Sequence, residues 1–309
     1  MYSRASQAGC LASISTPFGT DVLLLDGFAG REAISELFRF QLRMRSSNMA
    51  LDAQTIVGKK VTVTLQQPTG PQRWFNGIVT RFVNAGADLN YGFYTAELAP
   101  SLVLLTLGRN RAIYQNLSAL AIIEQILGTF SIAYESRLSG TYAVREYCVQ
   151  FDESPFAFIS RLMEEEGMFY FFTFADGVHT MVLADSPSAH QAGAADSATL
   201  HVSTGAMSDA TVQPVTHLEL AQGLGASAQV FADYDYLTAA TSSAALNAGA
   251  AATAGEQYVY PGKYADSDDA TRKAGIRAAA QTVEQQTGVG SSVCYSLAAG
   301  ATFTLAGHS

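Results

Sequence analysis

The sequence predicts a mostly β protein with a few helices, an α+β fold, and three observations carry that prediction. Residues 37–45 alternate apolar and polar side chains along a full strand. Five strand-like runs, this one included, fall within about ninety residues and are joined by turn signals, as in a small antiparallel barrel or sandwich. Residues 145–172, REYCVQFDESPFAFISRLMEEEGMFYFF, place a capped helix between two strands.

In chain order, residues 1–15 are expected to form a polar tail, and Val22 to Phe28 the first strand. In Leu37 to Arg45, Phe38, Phe40, Leu42 and Met44 point one way, and Arg39, Gln41, Arg43 and Arg45 the other; one face is core and the other wet. Lys60 to Gln66 repeats the alternation, and Pro68 to Pro71 turns into a strand from Trp74 to Val83. A loop rich in Asn, Gly and Asp leads to a strand from Tyr91 to Leu98. The boundaries that follow are a first barrel at 16–105, an α+β connector at 106–185 and a β-rich part at 186–309.

Within the connector, Ser118 to Leu127 carries Leu120, Ile123, Ile126 and Leu127 on one face and stops at Gly128. The second helix starts at Ser154-Pro155, where serine caps and proline gives up an N–H without a partner, and stops at Gly167. Its apolar face is Phe156, Ile159, Leu162 and Met163. Phe169 to Phe174 has no polar alternation beyond Thr173, so both faces of that strand should be covered, within the chain or at a subunit contact. Residues 185–209 read as a long loop, and the Ala-rich tract 238–255 as helical or disordered. Strands are expected at Thr216 to Leu220, Ala228 to Ala232, Ser292 to Leu297 and Ala301 to Leu305, and a helix at Asp268 to Gln286. The sequence stops at Ser309 right after an apolar strand, as a fragment would.

Composition narrows the function classes. A chain of 309 residues, 48% hydrophobic, can bury roughly 75% of its unfolded surface. The charged fraction is 15%, the net charge -9, and Lys plus Arg number 18, so no basic stripe is available to neutralise nucleic acid. No window reaches about 18 apolar residues and no apolar signal core opens the chain, which predicts folding in the cytoplasm. Cys10, Cys148 and Cys294 fit neither a full disulfide set nor a zinc pattern, and the five histidines show no metal-ligand spacing. Walker, Rossmann and GxSxG motifs are missing, so neither a cofactor nor a metal is expected. Asp266, Asp268 and Asp269 lack the glycine and glutamate of a calcium loop and read as a turn and helix cap.

The words EYCVQFDES, FISRLMEEEG and MFYFF, with GKKVTVTLQ, RWFNGIVTRFV, the stretch YTAELAPSLVLLTLGRNRAIYQNLSALAIIEQIL, VYPGKY and LAAGATFTLAGH, follow one another in family order. Together they resemble the VgrG spike proteins of bacterial type VI secretion, whose N-terminal part is similar to the hub of contractile phage baseplates. The resemblance runs from about Thr16 to the end, except for 185–209 and 238–255. It implies two small antiparallel β-barrel domains joined by an α+β connector. Three chains would form a ring of six barrels that matches a hexameric tube protein, without catalysis. Partners implied are further copies of the chain (a homotrimer), the tube, baseplate proteins, effectors and a downstream spike; export would go through the contractile apparatus without a signal peptide.

Seven residues are candidates for an interface: Arg39, Arg43 and Arg45 on a basic face of an acidic chain, Glu164 and Glu165, and Phe169 and Phe171. The competing readings are a phage tail baseplate hub, which the same resemblance implies, and a cell-wall hydrolase with Glu164 to Glu166 as its carboxylates. Adjacent helical residues spread by about 100°, which points them at different neighbours rather than at one bond. Arg161, a backbone N–H in the following loop or a cation on another chain are the expected partners.

Overall fold

The computed structural model describes residues 5–66, 72–194, 199–202, 214–235, 239–247, 255–264 and 266–306. Six strands make the first sheet: β1 (Ala12–Ser15), β2 (Leu24–Arg31), β3 (Arg39–Ser46), β4 (Lys60–Leu65), β5 (Arg73–Ala87) and β6 (Gly92–Ala99). Their order is β1-β4-β5-β6-β3-β2, with every pairing antiparallel. The sheet curls because β5 is long and its register with β6 breaks between Val79 and Arg81 and between Asn84 and Ala87; such bulges add twist.

Closure comes from a side chain. The Gln7 Oε1 accepts from the backbone N–H of Ile14 (2.9 Å) and of Leu25 (3.2 Å), while its Nε2 donates to the Ile14 carbonyl (3.2 Å), bridging the free edges of β1 and β2. The expected polar tail therefore supplies both a strand and the staple of a nearly closed barrel. Only Ile14 in Ala12–Ser15 is fully buried, so one apolar residue in phase was too little to mark β1 in the sequence.

The connector follows as β7 (Asn110–Ser118), α1 (Ala119–Thr129), β8 (Tyr134–Arg137), β9 (Val144–Glu153), α2 (Pro155–Glu166), β10 (Phe169–Ala175) and β11 (Val178–Ala184). Strands β7 and β9 form a two-stranded ribbon, and β10-β11-β8 a three-stranded sheet. Ser118 and Ser154 cap the two helices by accepting from Ala121 (3.2 Å) and Ala157 (3.1 Å). Gly167 ends α2 in the left-handed region at φ 72. Helix α1 runs through Gly128 to Thr129, since its last carbonyls are taken by Phe130 rather than released at the glycine. On α2 the fully buried aromatic is Phe158, stacked on Tyr114 at 5.5 Å, and the expected Phe156 is half-buried.

Barrel and connector share one core. The rings of Phe38, Phe40 and Phe75 in the barrel meet Phe172 and Phe174 of β10 at centroid distances of 5.0 to 6.0 Å. Each such ring removed from water is worth roughly 2–3 kcal/mol.

Beyond Ala184 the described residues form smaller sheets: β12 (Gln191–Ala192), β13 (Thr199–Val202), β14 (Pro214–Gln222), β15 (Ala228–Asp235), β16 (Ala240–Asn247), β17 (Glu256–Val259), α3 (Ser267–Gln285), β18 (Gln286–Ser292), β19 (Ala301–Thr302) and β20 (Thr304–Ala306). They assort as β18-β14-β13-β20, β16-β15-β17 and β12-β19, so among the described residues they do not join into one closed second sheet. Within the expected loop 185–209 lie a 3-10 turn at Pro187–Ala189 and the strands β12 and β13; residues 195–198 and 203–209 of it fall outside the described residues. The Ala-rich tract contains β16, zipped to β15 from Ala228↔Asn247 to Asp235↔Ala240, because ladder pairing overrides weak local preference; the rest of that tract largely falls outside the described residues. The expected strand Ser292 to Leu297 is displaced toward the N-terminus, to Gln286–Ser292. The carbonyls of Tyr295 and Leu297 are held by the Arg73 guanidinium instead of a ladder. Among the described residues no helix is long and apolar enough to cross a membrane.

Candidate functional site

The alternation of β3 holds in space: Phe40, Leu42 and Met44 are buried, and Arg39, Gln41, Arg43 and Arg45 are exposed. Arg45 pairs with Asp26 at 3.2 Å and lies over the Tyr91 ring at 5.3 Å. Arg43 stretches across Gly27, its cross-strand partner, where a Cβ would come within 2.8 Å of the guanidinium; glycine makes the room. Arg39 stands opposite Arg31, which is itself paired with Glu36 at 2.9 Å. Among the described residues Arg39 and Arg43 form no ion pair. The barrel thus presents two unneutralised guanidinium groups on the exposed face of β3, a geometry suited to carboxylates on a partner surface.

The three glutamates of α2 diverge. Glu164 is exposed and lies 3.6 Å from Arg277 of α3. Glu165 pairs with Arg145 of β9 at 2.7 Å and with Arg161 at 3.7 Å. Glu166, with a side chain only 3% exposed, is held between Arg145 (2.6 Å) and Arg272 (2.5 Å). Arg161 is the expected partner, and the further cations all come from the same chain. Burial works against the Arg145 charge, but hydrogen bonds and charges of Glu166 and Glu165 outweigh it and raise its pKa. These arginines also relieve the repulsion that carboxylates meet at a helix C-terminus. Glu165 and Glu166 share the Arg145 guanidinium while Glu164 faces Arg277, so each carboxylate is committed to an arginine of the chain.

The aromatic strand is covered on both sides within one chain. Tyr170 and Phe172 enter the main core, whereas Phe171 joins Val182, Ala184 and Ala189 in a second cluster, with Phe169 packed against it. His190 stacks on Phe169 (5.3 Å) and Phe171 (5.7 Å), and Gly300 at φ 80 lies directly against the Phe171 ring. Phe171 is therefore buried within the chain, and Phe169 half-buried.

Sequence reasoning did not foresee a buried polar thread between barrel and connector. His179 Nδ1 donates to Asn76 Oδ1 (2.7 Å), and His179 Nε2 accepts from the Ser101 backbone N–H (2.9 Å) with the Ser101 hydroxyl at 3.0 Å. Asn76 passes the thread to Thr62 (2.9 Å). The backbone donor fixes the tautomer, and burial, aided by the Lys60 charge, pushes the His179 pKa down to about 4. An imidazole so weakly basic, its lone pair already occupied, is a structural joint rather than a base for Ser101. No sequence spacing links residues 62, 76, 101 and 179.

None of the three cysteines forms a disulfide. Asp266 caps α3 by accepting from Asp268 (3.0 Å) and Asp269 (2.9 Å) N–H groups. Among the described residues no group of three or more His, Cys, Asp or Glu could hold a metal ion.

Comparison with known proteins adds the following. The family model of the phage tail baseplate hub (GPD) matches residues 31–309. The type VI secretion system spike protein VgrG1a of Pseudomonas aeruginosa is 38% identical over 182 residues, 59% of this chain and 28% of that protein. The chain spans about a quarter of the length of the curated relatives it matches. In fold it is similar to the E. coli c3393 protein, a component of the type VI secretion system with structural similarity to the T4 tail proteins gp27 and gp5. That likeness has a TM-score of 0.65 at 21% identity and covers 93% of this chain and 67% of the other. The VgrG of Francisella, solved in complex with PdpA, matches with a TM-score of 0.50 at 8% identity, over 80% of this chain and 43% of the other.

Proposed function

The chain belongs to the phage tail baseplate hub family, and from that premise we propose that it is the hub part of a type VI secretion spike. Three copies would adapt a trimeric puncturing spike to a hexameric tube. Residues 12–105 supply the first barrel, 106–185 the connector, and 186–309 the second barrel-like unit of each copy. The role is structural: the hub carries load and symmetry, and no step of it calls for catalysis.

The observation that carries this reading is the nearly closed six-stranded barrel fused through one aromatic core to a helical connector, in a chain 38% identical to a spike protein over 182 residues. Arg39, Arg43 and Arg45 are the groups assigned to a carboxylate-bearing neighbour, tube or adjacent hub, and Glu164 is the exposed member of the glutamate set. Baseplate proteins and effectors are further partners. The hub assembles in the cytoplasm and leaves through the contractile apparatus.

Light scattering with mass determination, on the chain alone and with the hexameric tube protein of its own secretion system, tests this. A complex of three chains on one tube hexamer is expected. Reversal of both free arginines, Arg39→Glu with Arg43→Glu, should weaken it by at least about tenfold. A chain that stays monomeric and ignores the tube at every concentration would overturn the proposal.

A further inference from the structure

The main hydrophobic core ends at Leu183, and the buried cluster of the C-terminal part (Leu200, Val215 and Cys294) is separate from it. Polar contacts carry much of the attachment between them. Arg73 of β5 donates to the Tyr295 and Leu297 carbonyls while paired with Glu32. His190 and Gly300, 3.0 Å apart at Nδ1 and the carbonyl, both lie against the Phe171 ring of β10. At α3 the apolar contribution is the close approach of Ile276 to Gly167, where a Cβ would meet it at 2.8 Å.

The ion pairs at α3 form a continuous chain: Glu153–Arg161 (2.9 Å), Arg161–Glu165 (3.7 Å), Glu165–Arg145 (2.7 Å), Arg145–Glu166 (2.6 Å), Glu166–Arg272 (2.5 Å), Arg272–Asp269 (2.7 Å) and Asp269–Lys273 (3.1 Å). Five of these residues belong to β9 and α2, and three to α3. The Glu166–Arg272 link joins the two groups, with the exposed Glu164–Arg277 pair beside it.

Opening that link leaves no orphan. Glu166 keeps Arg145, and Arg272 keeps Asp269. The connector group is then left with three carboxylates against two arginines, and the α3 group with two cations against one carboxylate, so the two faces stay complementary by one charge. A buried pair is costly to break mainly because a charge is stranded without a partner. Here each side retains its own.

We propose that Glu166–Arg272 is a reversible latch and that α3, with the part of the chain it belongs to, is a separable unit that swings on the connector while barrel and connector stay folded. Interfaces of this polar kind between parts of one chain are the ones that permit relative motion. Salt acts on the exposed Glu164–Arg277 pair beside the latch, whereas the buried Glu166–Arg272 link is screened much less. The latch is a property of the single chain and does not depend on the hub reading.

Hydrogen exchange followed by mass spectrometry on the full chain tests it, with Arg272→Gln and Glu166→Gln. Glu166→Gln leaves the α3 sequence untouched, so loosening of α3 there cannot come from altered helix preference. In both variants, amides of 267–285 should exchange at least about tenfold faster while those of β3, β6 and α1 keep their protection. Unchanged exchange at α3 in the variants, or equal loss across α3 and barrel, would overturn the proposal.

Discussion

The barrel with its connector and the C-terminal part are held by different means. In the first, strand after strand alternates, and six aromatic side chains from β2, the β3 region, β5 and β10 meet in one core. In the second, small residues pair in short sheets around a small buried cluster of Leu200, Val215 and Cys294, and arginines carry much of the attachment. Cohesion in the first region is non-directional and scales with area; in the second it depends on a few oriented groups. A packed core resists sliding, whereas a polar joint can be opened and remade.

The largest effect should come from cutting into the shared core. Phe38→Ala removes a ring that touches Phe40, Phe172 and Phe174 and should cost about 4 kcal/mol, lowering barrel and connector together in a circular dichroism melt. Separate melting of the two would mean that they are not one unit.

Next is acid. The His179 pKa is about 4 in the fold against 6.5 for an ordinary histidine, so the unfolded chain takes up the proton first as pH falls. The stabilisation is complete above pH 6.5 and is lost as pH drops from there to about 4, by roughly 3 kcal/mol. Denaturant titrations at several pH values should give His179→Gln a flatter profile over that window; identical profiles would remove His179 from the account.

The smallest effect belongs to the ionic side of the comparison. Glu165→Ala should cost below about 1 kcal/mol, because Arg145 keeps Glu166 and Arg161 keeps Glu153. A loss several times larger in the same melts would show that the ion-pair chain acts as a unit on global stability.

How much of this was legible follows the same division. The wet and dry faces of β3, the bounds of α2 and the cover on both sides of Phe169 to Phe174 are written in local periodicity and caps, and the structure has them. β1, β16 and the displaced β18 are not, because their pairing partners decide them: β1 relies on β4 and Gln7, and β16 on β15. The glutamates were legible as ionic contacts, but Arg145, Arg272 and Arg277 as their partners were not, lying 20 to 113 residues away. The Thr62–Asn76–His179–Ser101 thread left no mark at all, since each of its members is ordinary by itself.

The Gln7 amide has one further meaning. It offers β1 and β2 the acceptor and donor that a neighbouring peptide unit would offer, so one side chain does the duty of a missing seventh strand. A wall fastened this way is a strip buttoned into a ring. Unbuttoned, as in Gln7→Ala, it would expose two strand margins ready to accept another polypeptide, the hazard that a sealed ring avoids.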